Sequence, residues 1–481
     1  MARADAGLSI GYGRLAWLLM GLMLVRGWLV LAADPLLAVA NNYDMIRVQA
    51  CIDAFPDRPD SVAPASNSPA APFSRFRFTG GVGASCFLTS EALFAWAAWP
   101  GMWLEQALRS DHSFSIRWKG GVQLMAWVAL AVWCTRRLIH SGRRDLAAGH
   151  AAVCAIAVMD PGNTLYLNTF YSEASALLFL YAMLALMLVA FAAQRARGRG
   201  LPIALALSAL LLMTSKFQHV LLPLIVLLAV LVAAGNARGT ARPVALALLA
   251  GLSVGLLVQW MHRNAADNES IRHANVVDTL FTALLPNARD PAALLEDLGL
   301  PQDCLQQSGS SWYTPGMSER TLCPQVFAID QRDLLRAALS DPAMSTRALI
   351  GGIAQMAPWI PGHLGVVEDQ AFSGLPESVP SWSRVVDALG AKALGAWLFG
   401  LPMVALGLVL FRRSASQVAA NVVVLAVSAL PLCVLVAAVF GDGYADLARH
   451  TQLGIAALLA GTMMLGCLVA DAAFRGFAGR R

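Results

Sequence analysis

Four short polar clusters hold the residue types that chemistry needs. Asp44 follows Asn41-Asn-Tyr43; Asp160 to Glu173 form the polar, aromatic run Asp160-Pro-Gly-Asn-Thr-Leu-Tyr-Leu-Asn-Thr-Phe-Tyr-Ser-Glu173; Lys216, Gln218 and His219 stand in Ser215-Lys-Phe-Gln-His219; and Asp442, Asp446, Arg449 and His450 close the set. Carboxylates can act as general bases, and fixed cations can hold a phosphate. Together they fit transfer from a phosphate-linked donor to a hydroxyl. The run 160–173, with Asn163, Asn168, Tyr171 and Glu173, reads as an active-site rim, because ionisable residues at membrane depth are costly without a role. The blander alternative makes Tyr166 and Tyr171 part of an interfacial aromatic belt. Lys216 has snorkelling to the headgroups as its alternative, Arg449 with Asp446 a structural ion pair, Asp442-Gly-Tyr a turn, and Asp44 a helix cap. Asp44, Glu173 and Asp442 could hold a divalent metal, although no ligand spacing argues for one.

The elements that must position these clusters are membrane spans. Of the 481 residues 57% are hydrophobic and 14% charged, and the apolar runs match the hydrocarbon thickness of a bilayer. The expected fold is all-α, a polytopic transmembrane helical bundle of about ten spans over 15–33, 120–138, 146–159, 174–194, 201–214, 217–234, 244–261, 390–411, 418–440 and 451–472. Two further apolar stretches, 87–108 and 348–367, are interrupted by Glu91, Pro100, Pro358 and Pro361. They suit re-entrant or interfacial helices better than spans. Arg26 falls inside the first span and is expected to face the bundle interior, or else to snorkel.

Under this map Arg136, Arg137, Arg143 and Arg144, then Arg195, Arg197 and Arg199, Arg238 and Arg242, Arg412 and Arg413, and Arg475, Arg480 and Arg481 all fall on one side. The positive-inside rule puts that side, and both termini, in the cytoplasm, with the four polar clusters opposite. The first helix is read as retained rather than cleaved, since its apolar run is long for a signal peptide and carries Arg26. Of the eight cysteines, Cys51 and Cys86 lie in the first large outer loop and Cys304 and Cys323 in the second. Two loop pairs suggest two disulfides and an oxidising compartment, the periplasm of a bacterial-type cell; the alternative is four free thiols.

The chain divides into an N-terminal transmembrane module, 1–260, with a first outer loop at 34–119; a second outer loop, 261–389; and C-terminal transmembrane helices, 390–481. In the first loop, apolar residues over 45–55 recur near helical spacing and predict a helix lying on the membrane; the Pro, Ser and Asp-rich stretch 56–72 breaks regular structure. In the second, helix-like pieces at 276–285, 291–298 and 331–339 are separated by proline and glycine. That loop is too short for a substantial core of its own and is expected to cap the bundle. No internal repeat, glycine-rich phosphate loop or nucleotide-binding signature occurs, so neither a soluble nucleotide-donor domain nor a nucleic-acid partner is expected.

Tyr166-Leu-Asn-Thr-Phe-Tyr-Ser-Glu173, Ser215-Lys-Phe-Gln218, Leu294-Leu-Glu-Asp-Leu-Gly-Leu-Pro301 and Gly441-Asp-Gly-Tyr-Ala-Asp-Leu-Ala-Arg-His450 resemble, in this order, a family of bacterial polytopic proteins grouped with the C-type (GT-C) glycosyltransferases. The resemblance runs from about Asn41 to the last span. It implies a helical bundle whose first outer loop carries juxtamembrane helices and a catalytic acid, with a sugar on a polyprenyl phosphate as donor. It implies Asp44 as general base, Glu173 as second acid, and Lys216, Gln218, Arg449 and His450 as substrate- or phosphate-binding residues. Arg449 stands where the family has a lysine, and keeps a cation able to bind phosphate with a bidentate fork. The expected activity is an inverting membrane glycosyltransferase of the inner membrane, acting on a glycan or lipid acceptor. One alternative is a lipid-linked glycan ligase or polymerase, in which His262, Arg263 and Arg320 of the second loop would matter more. A transporter of lipid-linked saccharide is the other, though transporters commonly show related halves.

Overall fold

The computed structural model describes residues 2–41, 43–57, 71–80, 86–87, 89–193, 200–233, 237–263, 268–361, 364–370, 374–411 and 417–478. Asn42, most of the stretch 56–72, and Arg195, Arg197, Arg199, Arg412, Arg413, Arg480 and Arg481 lie outside them. The protein is an all-α, multi-pass membrane protein. Among the described residues, seven helices are long and apolar enough to cross a bilayer: Gly11–Ala32, Arg117–His140, Glu173–Ala192, Gly239–His262, Ala391–Phe411, Val418–Asp442 and Gln452–Ala470. The shorter Gly200–Met213 and Phe217–Ala233 fall on two further expected spans. The remaining one, expected at 146–159, is the α-helix Arg144–Val153 continued by a π-helical turn over Cys154–Val158.

Burial sorts these helices into a centre and a ring. Glu173–Ala192 and Val418–Asp442 are 89% and 72% buried over their most apolar stretch, whereas Ala391–Phe411, Gly11–Ala32 and Gly239–His262 are 28–33% buried. A helix that is apolar on every face belongs in the middle of such a bundle. Val418–Asp442 packs on Glu173–Ala192, on Leu222–Ala233 and on Gln452–Ala478, so a late helix forms the centre of the bundle. Close approach in the ring relies on small residues. A Cβ on Gly251 would come 2.5 Å from the backbone oxygen of Ala206 on the helix Gly200–Met213.

Arg26 faces the interior, as its mid-span position requires. Its guanidinium donates to the backbone oxygens of Ala155 at 2.8 Å and Ile156 at 3.1 Å, and meets Asp160 at 3.2 Å. The π-helical turn supplies those carbonyls, because its altered register leaves main-chain oxygens free to accept from elsewhere.

The loops depart from expectation at 45–55 and at 348–367. The first-loop helix expected over 45–55 is confined to Tyr43–Gln49, and Ala54–Pro56 is a strand. It pairs antiparallel with Arg75–Phe78, which pairs in turn with Phe114–Ser115. This small sheet sets the fully buried Phe76 edge-on against Phe170 at 5.2 Å. The stretch 87–108 does form a helix, Ser90–Leu108, capped by the Thr89 side chain and not among the seven spans, as expected. The stretch 348–367 is no single helix: Pro342–Gln355 is helical, and residues 364–366 then run beside the first loop, where the N–H groups of Ala38 and Ala40 donate to the oxygens of Val366 and Leu364 at 3.1 and 2.6 Å. Pro358 and Pro361 withhold the donors a helix there would need.

The second loop carries Glu269–Asp278, Pro291–Asp297 and Gln331–Ser340 as helices. Contrary to expectation it has an apolar cluster of its own, with Val277, Leu280, Phe281, Leu284, Leu295, Met317 and Val326 buried together. Cys51 is bonded to Cys86 and Cys304 to Cys323.

Candidate functional site

A cavity of about 750 Å³ opens where the helix Tyr43–Gln49, the Lys216 turn, the end of Val418–Asp442 and the second loop meet. Arg449 is part of its wall. Asp446, in the left-handed conformation at φ 55°, starts the one-turn helix Leu447–His450 and turns Arg449 inward, where it is 3% exposed. The guanidinium is 2.6 Å from Asp44, 2.9 Å from Asp446 and 4.0 Å from Glu173, and lies over the Tyr171 ring at 5.0 Å. Three carboxylates and an aromatic face therefore offset the cost of burying this charge. They hold it well above its ordinary pKa although burial pulls the other way.

Asp44 sits in the first turn of its helix, with Arg47 one turn on at 3.0 Å. Burial alone would raise its carboxyl; Arg449, Arg47 and Lys216 together hold it well below the usual carboxylate range. Lys216 meets Glu173 at 2.5 Å instead of reaching for headgroups, and His450 meets Asp442 at 2.5 Å. The Gln218 amide donates to the backbone oxygen of His450 at 3.1 Å, fastening the Lys216 turn to the Arg449 turn. The turn at Asp442 is also fixed: Gly443 has φ 63°, and a Cβ there would run into the backbone of Asp278 and the hydroxyl of Thr282.

The structure thus gathers Asp44, Tyr171, Lys216, Gln218, Asp442, Arg449 and His450 on the cavity wall, with Glu173 directly behind. Of the expected rim, Ser172 also lines the cavity, whereas Asp160, Asn163 and Asn168 do not. Asp160 is fully buried as the cap of the turn Pro161–Thr164, taking Arg26, the Gly162 N–H, the Ser381 hydroxyl and the Trp382 N–H. The Asn168 amide donates to the oxygens of Val30 and Leu37 at 3.2 and 3.0 Å, tying down the chain where the first helix ends. Asn163 bonds Ala157 and Gln452. His219 is buried behind the wall against the Ser215 hydroxyl at 2.7 Å. Of the residues favoured by the ligase alternative, His262 packs on Phe87 and Arg320 on Phe327, and neither lines the cavity; the Arg263 side chain lies outside the described residues. Among the described residues, no three of His, Cys, Asp or Glu are grouped as metal ligands, so Asp44, Glu173 and Asp442 form no such set.

Sequence reading missed the second-loop wall: Asn275, Asp278, Trp312, Tyr313 and Gln331. The Asp278 carboxyl, 3% exposed, accepts the Trp312 N–H at 2.6 Å; burial, then Asp442, push it up to about 8. No motif marked it. Arg47 was the legible omission, because a residue three after Asp44 on a helix shares its face.

The arrangement defines a class, a multi-pass membrane protein with a charged cavity at one end of its helical bundle. The family described as the YfdI N-terminal transmembrane domain matches residues 73–326, more than half of the chain, and the protein belongs to it. Glu173, Lys216 and Asp278 fall inside the matched region, Asp44 and Arg449 outside it. No curated protein and no solved structure matches the chain.

Proposed function

We propose that the protein is an integral-membrane glycosyltransferase that moves a sugar from a polyprenyl phosphate to a hydroxyl of a glycan or lipid acceptor. The observation that carries this reading is the buried Arg449, shared between Asp44 and Asp446 on the wall of a cavity large enough for a sugar phosphate. The donor phosphate would take a share of Arg449, with Lys216 beside it. Asp44 then loses part of its counter-charge, and its carboxyl rises toward the range in which it can accept a proton. The acceptor oxygen attacks the anomeric carbon from the face opposite the phosphate, its proton passes to Asp44, and the carbon–oxygen bond to phosphate breaks with the electron pair leaving on the phosphate. Arg449 and Lys216 stabilise that leaving charge. Configuration at the anomeric carbon inverts.

The proposal places the cavity in the periplasm of a bacterial inner-membrane protein with both termini cytoplasmic. The distribution of arginines supports this, as do two disulfides in the loops on the cavity side.

Transfer in proteoliposomes tests the reading, with a panel of polyprenyl-phosphate sugars and membrane extract as acceptor. Asp44→Asn should lower transfer by about 10²–10⁴-fold, the usual contribution of a general base, in protein that remains folded in the membrane because Asp446 and Glu173 still face Arg449. Transfer at the wild-type rate would remove Asp44 from the mechanism. Movement of lipid-linked sugar across the bilayer with no transfer product from any donor would replace the enzyme with a transporter.

A further inference from the structure

The cavity has two unlike walls. The bundle contributes the charged groups, Asp44, Lys216 and Arg449; the second loop contributes an aromatic that no charge pair occupies. Tyr313 is 73% exposed, yet its backbone is firmly held. The segment carrying it is closed by the Cys304–Cys323 disulfide across 19 residues. Its interior is pinned where the Gly309 N–H donates to the Phe281 oxygen at 2.7 Å and the Trp312 N–H to Asp278 at 2.6 Å. Met317 anchors the same segment in the buried cluster of the loop. A large ring held out from an anchored backbone, beside a charged cavity, is the arrangement a binding surface uses: broad contact area with few torsions to freeze.

Its position narrows the ligand. Tyr313 lines the cavity close enough to Asp44, Arg449, Asp446 and Asp442 for their charges to bear on its hydroxyl. A phosphate held at Arg449 would carry its sugar one bond away. Tyr171 cannot receive that sugar, because it is fully buried beneath the guanidinium. A pyranose ring has an apolar C–H face that suits an aromatic surface and a hydroxylated edge that suits the phenol.

We propose that Tyr313 is the stacking platform for the sugar of the lipid-phosphate donor, and so a residue that decides which donors are accepted. This rests on the glycosyltransferase reading above. The disulfide-closed segment 304–323 is then a rigid bracket that sets the ring's height over Arg449.

The test measures binding to the full-length protein in nanodiscs of two probes, farnesyl phosphate and the same lipid phosphate bearing a β-linked hexose, over a panel of hexoses. The wild type should bind its preferred sugar-bearing probe about fivefold to tenfold more tightly than the bare phosphate, as expected of one aromatic contact. Tyr313→Ala should bring that ratio close to one while leaving the bare phosphate within about twofold, and Tyr313→Phe should keep most of it, because the ring remains. Arg449→Ala should weaken both probes. A ratio that survives Tyr313→Ala overturns the proposal and leaves the glycosyltransferase reading standing. Failure of the wild type to bind either lipid phosphate overturns the reading itself, and the platform with it.

Discussion

Glu91 and Lys119 offer the sharpest test of how the segment carrying Tyr171 and Glu173 is held. Both side chains are fully buried and 2.5 Å apart. Gln123 donates to both Glu91 oxygens at 2.9 Å, the Ser175 N–H donates to one at 3.1 Å, and Lys119 also donates to the Thr169 oxygen. The network joins the helices Ser90–Leu108, Arg117–His140 and Glu173–Ala192, and its contacts at Thr169 and Ser175 bracket Tyr171 and Glu173. Glu91→Gln removes the counter-charge and strands a buried ammonium, an effect of about 3–5 kcal/mol. That is a large share of the stability of an ordinary domain, about 5–15 kcal/mol. Lys119→Met should cost less, because the carboxylate keeps the Gln123 amide and the Ser175 N–H as donors and can take up a proton. In Glu91→Gln/Lys119→Met no charge is left unpaired, so the double variant should be more stable than Glu91→Gln alone, with a coupling of about 2–3 kcal/mol. Equilibrium unfolding in mixed micelles, followed by tryptophan fluorescence, gives all three values. A loss below about 1 kcal/mol for Glu91→Gln, or additive losses in the double variant, would refute the account of a tightly coupled buried pair.

Asp160→Asn should lower the thermal midpoint in detergent markedly, because Arg26 loses its counter-charge inside the bundle; an unchanged midpoint would return Asp160 to the candidate catalytic residues. Asp278 predicts a pH dependence: with its folded carboxyl near 8 and its ordinary value 3.8, the folded state holds an extra proton between those values. Stability therefore falls as pH rises through that window, by up to about 1.4 kcal/mol per unit, and levels off above it. Asp278→Asn should flatten the profile, matching the wild type near pH 4 and exceeding it at pH 8, as read from melting curves at both values; identical slopes would count against the assignment. Reducing the Cys304–Cys323 bond, or replacing both cysteines with serine, should destabilise by about 3 kcal/mol from the entropy of the 19-residue closure and loosen the Tyr313 bracket, which calorimetry and the donor-preference assay would each register.

Much of this protein is written locally. Bilayer thickness sets how long an apolar run must be, so seven of the ten expected spans coincide with helices long and apolar enough to cross and the other three with shorter helical segments; the two cysteine pairs could be matched because each loop holds one pair. Arg26 announced its need for a buried partner by its position alone. The helical pieces of the second loop were legible from apolar spacing between proline and glycine.

The site was legible only as a set of clusters. Asp160, Asn168 and Tyr171 share one run and look alike as rim residues, yet Asp160 and Asn168 turn into the bundle to satisfy Arg26 and the end of the first helix, while Tyr171 supports Arg449. Nothing in the sequence distinguished Asp278 or Tyr313 from other loop residues. Hydrophobic periodicity and run length are properties of neighbours along the chain, and they determine where helices form. Which polar side chain at a helix end meets which other is decided by the rotation and docking of segments hundreds of residues apart. Arg449 reaches Asp44 only because the helix Val418–Asp442 is driven into the centre of the bundle by the burial of its apolar surface.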